Sequence, residues 1–284
     1  MVGAVTDPMT TQAVRWRKWM SGPRAWLRSL AGVPVVVVGL LIWQWQTTRH
    51  PVFFLPPPLV IARRLKTDWL SGPAHSLFLS HEGLTAIVQT FQTALIGWAI
   101  AAALGIIVGS VLGVRPSLAA FAAPPLLLLR SVPPIAVIPI AIVILGLGDS
   151  MRTAVVVAGC LWPILLNAVA AVSGVDQVLR DVAALNHLNP IQTFVRVLVP
   201  AASPKLFAGL RVALALAIVL SVGAGMFAGS GGLGGRLLTF QNNFDVPGLW
   251  ATITVLAVLG AIVNWLLLLV ERSALRWNIQ GETL

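Results

Sequence analysis

Thr85, Gln89, Gln92 and Thr93 stand three and four residues apart in a segment otherwise made largely of Ala, Ile, Leu, Val and Phe. On a helix that spacing gathers them into one stripe. Hydroxyl and amide groups in an apolar helix either bond to a neighbouring helix or line a path for a polar solute. Arg130 poses a sharper problem, since it lies inside the apolar run 117–147, just before Pro133-Pro134. A guanidinium at membrane depth costs several kcal/mol unless it is paired or hydrated. That run holds no carboxylate, so its partners are backbone carbonyls, water or a passing anion, and its role is either structural or one of path and gate. Asn167, four residues after Pro163, suits a packing hydrogen bond or the path. Little else could do chemistry. The single Cys160 sits in an apolar run, the four His are scattered, and no Gly-Lys-Ser/Thr phosphate loop occurs. The sequence therefore predicts no catalytic residue, no metal site and no cofactor.

The elements that must position these residues are set by composition. The 284 residues are 57% hydrophobic and only 10% charged, with a mean hydropathy of +0.89. Soluble domains carry about 25% charged residues, so lipid is the expected solvent. The net charge of +10 suits loops beside anionic lipid better than nucleic acid, for no basic run is interleaved with aromatics. Crossing the hydrocarbon core takes about 20 apolar residues. Six candidates follow, at 29–46, 85–114, 117–147, 152–173, 203–228 and 248–270. The third is interrupted at Ser131 to Pro134, and the fifth runs into GSGGLGG, which reads as a flexible turn at the outer mouth. Irregular backbone at membrane depth belongs where it lines a path or is buried in protein.

Six spans place both termini on one side. Twelve Lys and Arg fall on that side and six, including Arg152 and Arg236, on the other. The termini and the loop between the fourth and fifth spans are therefore predicted to be cytoplasmic. The expected organisation is a basic segment 1–28, then one transmembrane domain 29–284 with a loop at about 174–202. LVIARRLKTDWL, Leu59 to Leu70, reads as an amphipathic helix on the outer interface.

That loop, DVAALNHLNPIQTFVRVLVPAASP (Asp181 to Pro204), is the most polar interior stretch. Asp176 or Ser173 can open a helix through Leu185. Asn189 is a good N-cap and Pro190 suits a first helical position, opening a second helix that Pro200 and Pro204 should end. Local physics leaves two uses open, an interfacial hairpin on lipid or a projecting docking element.

The same loop resembles the signature of permease subunits of binding-protein-dependent ABC importers: Glu-Ala-Ala, a Gly, and a later Leu-Pro. Asp181-Val182-Ala183 stands at the first element and Val199-Pro200 at the last. Four further segments, FFLPPPLVIARRL, LLRSVPPIAVIPIAIVILGLGD, WPILLNAVAAVSGV and SGGLGGRLL with ERSALRW, resemble the nitrate, sulfonate and taurine branch in order. Two positions depart from the pattern. His187 stands for the Gly, with Asn186 and Asn189 left to supply the turn's backbone angles, and Gly225 stands where relatives often have an acid. The resemblance implies an all-α polytopic permease of the type I importer kind, with a second permease copy or paralogue, a cytoplasmic ATPase dimer and an extracytoplasmic solute-binding protein. It implies that Asp181, Val182, Ala183, Ala184, His187, Asn189, Pro190 and Pro200 couple the chain to the ATPase. The cargo it implies is a small organic or inorganic anion, and ATP hydrolysis would lie on the separate subunit. A secondary transporter and a non-transporting scaffold are the rivals; the first would want intramembrane acids and two related halves.

Overall fold

The computed structural model describes residues 32–73, 78–229 and 231–274. The expected basic segment 1–28 and the last three residues of ERSALRW lie outside them. The described residues are helical, with an isolated antiparallel bridge at Val52 and Leu55.

Two compact units are distinguished, Met1–Arg63 and Arg64–Leu284. In the first, α1 (Gly32–Arg49) is an 18-residue helix. Its described part ends in the polar stretch Gln44 to Arg49, and residues 29–31 of the predicted first span lie outside the described residues. α2 (Pro58–Asp68) is the helix expected after the Pro triplet.

The second unit is built on three long helices. α3 (His81–Val114) runs 34 residues and α6 (Asp149–Ser173) runs 25. α9 (Val199–Phe227) packs with both. The approach of α3 to α6 is set by glycine. A Cβ at Gly97 would sit 2.6 Å from Val156, one at Gly109 2.6 Å from both the Leu165 carbonyl and Ala168, and one at Gly113 2.8 Å from Val172. Small residues let backbones come this close, and dispersion with interhelical hydrogen bonds then replaces the hydrophobic drive that lipid removes. Trp98 Nε1 donates to the Leu210 carbonyl at 3.0 Å, and Ser221 Oγ to the Thr90 carbonyl at 2.9 Å.

The third predicted span is two helices. α4 (Pro116–Arg130) and the run Pro134–Leu145, a 3-10 turn followed by α5 (Ile138–Leu145), meet at 78°. Prolines 133 and 134 withhold two donors there, so the ladder stops rather than bends. Phe121 and Val143 on this pair are each 85% exposed, surface that only lipid or another chain would cover at no cost; covering one such side chain is worth about 2 kcal/mol.

Between α6 and α9 lie α7 (Gln177–Leu185) and α8 (Pro190–Thr193). The second hairpin helix does not end at Pro200 as its sequence suggests. A π-turn at Phe194–Leu198 carries it on, making one helical run from Pro190 to Phe227. Pro200 lacks a donor, and the widened turn, in which Val199 N–H reaches back to the Phe194 carbonyl, absorbs that loss. GSGGLGG is also more than a turn. Its second half opens α10 (Gly232–Asn242), and α11 (Val246–Ala274) follows. Among the described residues, four helical runs can cross a membrane by length and composition, α3, α6, Pro190–Phe227 and Val246–Glu271, or five with the bent pair as one.

Candidate functional site

The α7–α8 hairpin is stabilised at every end. Asp176 caps α7, accepting from Val178 N–H at 3.0 Å. The helix closes in a Schellman motif, with Leu188 N–H donating to the Ala183 carbonyl at 3.1 Å and His187 N–H to the Ala184 carbonyl at 3.0 Å. The left-handed residue that this motif requires is His187 itself, at φ 51°. The neighbouring asparagines do not take over that role. Asn186 sits at φ −83°, and Asn189 at φ −69° is the N-cap of α8. Asn189 and Gln192 form a reciprocal capping box, at 2.8 and 3.1 Å. Arg180 anchors the hairpin by donating to the Val172 carbonyl at 2.7 Å, a cation placed favourably at the C-terminal end of α6. Beneath it Ala168, Val172, Val175, Leu198 and Ala202 form a buried cluster.

The residues expected to couple to a partner divide by burial. Asp181, Val182, Ala184, His187, Asn189 and Pro190 are exposed, Pro200 is half-buried inside the continuous helix, and Ala183 is buried. The outer surface of the hairpin is mixed: Val178, Val182, Leu185, Ile191 and Val195 are all exposed, beside the polar Asp181, His187 and Asn189.

The polar stripe of α3 separates likewise. Gln89 Oε1 accepts from Gly232 N–H at 2.7 Å, and Thr90 Oγ1 accepts from Leu233 N–H at 2.8 Å. These two side chains cap α10 from another helix, because its own N-cap, Gly231, has none to offer. Gly232 must be glycine twice over: its φ is 69°, and a Cβ would lie 2.8 Å from Thr90 Oγ1. Thr93 is buried and Gln92 exposed. Asn167 Nδ2 donates to the Pro163 carbonyl at 2.8 Å, and its Cβ packs where Gly209 of α9 leaves room. Arg130 ends α4, exposed, at the 78° bend. Among the described residues no hydrogen bond or ion pair joins it to Gln89, Gln92, Thr93 or Asn167.

Two arginines that the sequence offered only as outer-side charges take structural prominence. Arg152, on the first turn of α6, is 7% exposed and pairs with Asp149 at 2.7 Å. Arg236, on α10, lines a cleft of about 950 Å³ at the end of the bundle opposite the hairpin, together with Thr85, Gln89 and Gly231. Its place directly after a glycine run was the available signal, but burial could not be read from it. No group of three or more His, Cys, Asp or Glu able to hold a metal occurs among the described residues.

The profile of the family described as the binding-protein-dependent transport system inner membrane component matches residues 101–276. The chain is 27% identical to the putative aliphatic sulfonates transport permease protein of Bacillus subtilis (strain 168), covering 90% of each. It is 29% identical to a nitrate import permease protein of Synechococcus elongatus (strain ATCC 33912 / PCC 7942 / FACHB-805), over 78% of this chain and 80% of that one. With the riboflavin transport system permease protein of Chloroflexus aurantiacus (strain ATCC 29366 / DSM 635 / J-10-fl) it shares 31% over 87% and 90%. Among solved structures, an inward-facing MetNI methionine ABC transporter chain matches with a TM-score of 0.60 at 21% identity, over 67% of this chain and 95% of that one.

Proposed function

Because the chain belongs to the binding-protein-dependent transport system inner membrane components, we propose that it is the membrane-spanning permease of an ATP-driven importer for a small anion. The observation that carries this is the hairpin Gln177–Leu198. It is a capped element that exposes five apolar side chains among polar ones, seated at one end of a helical bundle. A hairpin meant only to rest in water would not expose Val182, Leu185 and Ile191. We assign that surface to docking on a separate cytoplasmic ATPase, with both termini on the same side. A second permease copy completes the path, and a solute-binding protein delivers cargo from the other side.

The continuous run Pro190–Phe227 supports a simple transmission. At 1.5 Å per residue it extends on the order of 55 Å, from the hairpin to the glycines that open α10. A push on the hairpin therefore reaches the opposite end of the bundle without crossing a flexible joint. The cargo class follows the relatives named for aliphatic sulfonates and nitrate.

Uptake into vesicles carrying the permease with its ATPase and solute-binding protein tests this. Taurine, methanesulfonate and nitrate serve as cargo. Uptake of at least one should require ATP and the binding protein, and should survive collapse of the ion gradients. Uptake that needs a gradient and ignores ATP would replace this reading with a secondary transporter.

A further inference from the structure

Arg236 is held in the cleft in an unusual electrostatic setting. Its side chain is 18% exposed. The guanidinium carbon lies 4.7 Å from the Trp69 ring centroid and 5.6 Å from that of Phe240. Trp69 is itself 1% exposed and fixed against Gly83, where a Cβ would come within 3.0 Å of the ring. The cation thus rests on a rigid aromatic shelf that neutralises none of its charge. Its Nε is buried with no hydrogen-bond partner. Its one anionic contact among the described residues is Glu82 at 3.6 Å, beyond hydrogen-bond reach, and that carboxylate is 88% exposed.

The other carboxylate lining the cleft is already engaged: Asp68 is bound to Arg64 at 3.1 Å. Arg152 lies nearby, outside the lining of the cleft, and differs from Arg236 in holding its carboxylate closely, at 2.7 Å. Its two terminal nitrogens lie 3.3 Å from where a Gly231 Cβ would be, its side chain is 9% exposed, and its partner Asp149 is 81% exposed. Two guanidinium groups are therefore withdrawn from water while both counter-charges remain in it. Water screens the exposed Glu82 carboxylate far more than the largely buried Arg236 cation, so the cleft is electropositive at Arg236.

A planar fork of N–H donors with no close acceptor among the described residues fits an anion with two or three oxygens on one centre, such as a sulfonate or nitrate. We propose that this cleft is an anion-receiving site of the permease, with Arg236 as the ligand and Glu82 as an exposed internal competitor that an entering anion displaces. The assignment rests on the import reading for its cargo class. It adds a specific contact and a predicted sign for each variant.

The test is equilibrium binding of methanesulfonate and of nitrate to the purified chain in lipid nanodiscs, with chloride at equal ionic strength as the reference. Trp69 fluorescence provides a local readout, subtracted with Trp69→Phe. Arg236→Gln should weaken binding about tenfold or more, the loss of a charge-assisted bidentate contact. Arg236→Lys should fall between it and the parent. Glu82→Gln should tighten binding about threefold, since the competing charge is gone. Glu82 is exposed, so this variant reports even if Arg236→Gln fails to assemble. Absence of binding above chloride, or unchanged affinity in Glu82→Gln, would overturn the proposal. ATP-dependent import that continues while the cleft variants bind as the parent does would remove the cleft assignment and leave the import reading standing. Binding that follows the predicted order in a chain that imports nothing would do the reverse.

Discussion

His187 occupies a backbone position that L-residues avoid, at φ 51°, and it does so because the Schellman closure of α7 needs a left-handed residue there. The left-handed conformation costs roughly 1–2 kcal/mol for a residue with a Cβ. Glycine removes that cost but adds freedom to the unfolded chain, which returns part of the gain. His187→Gly should therefore leave the hairpin intact and stabilise the purified chain slightly, by about 0.5–1 kcal/mol, measured as a small rise in thermal midpoint. Transport should be unchanged. A loss of transport with an unchanged midpoint would show that the imidazole itself acts. The sequence marked His187 as a turn residue standing for glycine. It did not reveal that the histidine takes the strained angle itself, because whether a neighbour can relieve it depends on which carbonyls Asn186, His187 and Leu188 find.

At the scale of elements, the hairpin separates two effects that its sequence merges. Ala183 faces inward and is 3% exposed, whereas Leu185 is 78% exposed. A charged side chain at Ala183 must displace packed neighbours and enter without a partner, a cost of about 1–3 kcal/mol for the volume alone. Ala183→Glu should therefore disorder the hairpin, lowering helicity and sensitising the loop to protease. Leu185→Glu should leave the hairpin folded and protease-resistant yet abolish co-purification of the ATPase. If Leu185→Glu retains the ATPase at the parent's yield and transports normally, the outer side of the hairpin is not the docking surface. α7 and the caps of both short helices were legible, since Asp176, Asn189 and Pro190 carry local signals. The continuation through Pro200 was not. Prolines at 200 and 204 normally announce an end, whereas here the helix continues through a π-turn whose Leu198 and the following Ala202 are buried with Val172.

For the whole molecule, Arg130 shows what one chain leaves undecided. It is exposed at the bend after α4, so its solvation comes from whatever surrounds the chain, be it lipid headgroups, a second copy or the solute path. We expect Arg130→Lys to keep partial transport and Arg130→Ala to lose most of it, because Lys retains the charge without the planar fork. Uptake must be normalised to assembled complex, and normalised rates unchanged from the parent in both variants would reduce Arg130 to a structural role. The solvent was decided by the sequence alone: composition and apolar run length demand helices in lipid, because in hydrocarbon every backbone polar group must be satisfied within its own segment. The break at Pro133-Pro134 was equally local, as missing donors need no tertiary context. The pairing of helices required the fold. Gln89 read as part of a stripe that bonds to another helix or lines a path, and its neighbour Thr90 was not singled out at all. Only the arrival of Gly232 and Leu233, more than 140 positions along the chain, assigns them the capping of α10. Arg236 likewise reads as one more surface charge until Trp69 and Phe240 are brought beneath it. Charge and hydropathy are properties of a residue, whereas burial and the loss of a counter-charge to solvent are properties of the neighbours that folding supplies.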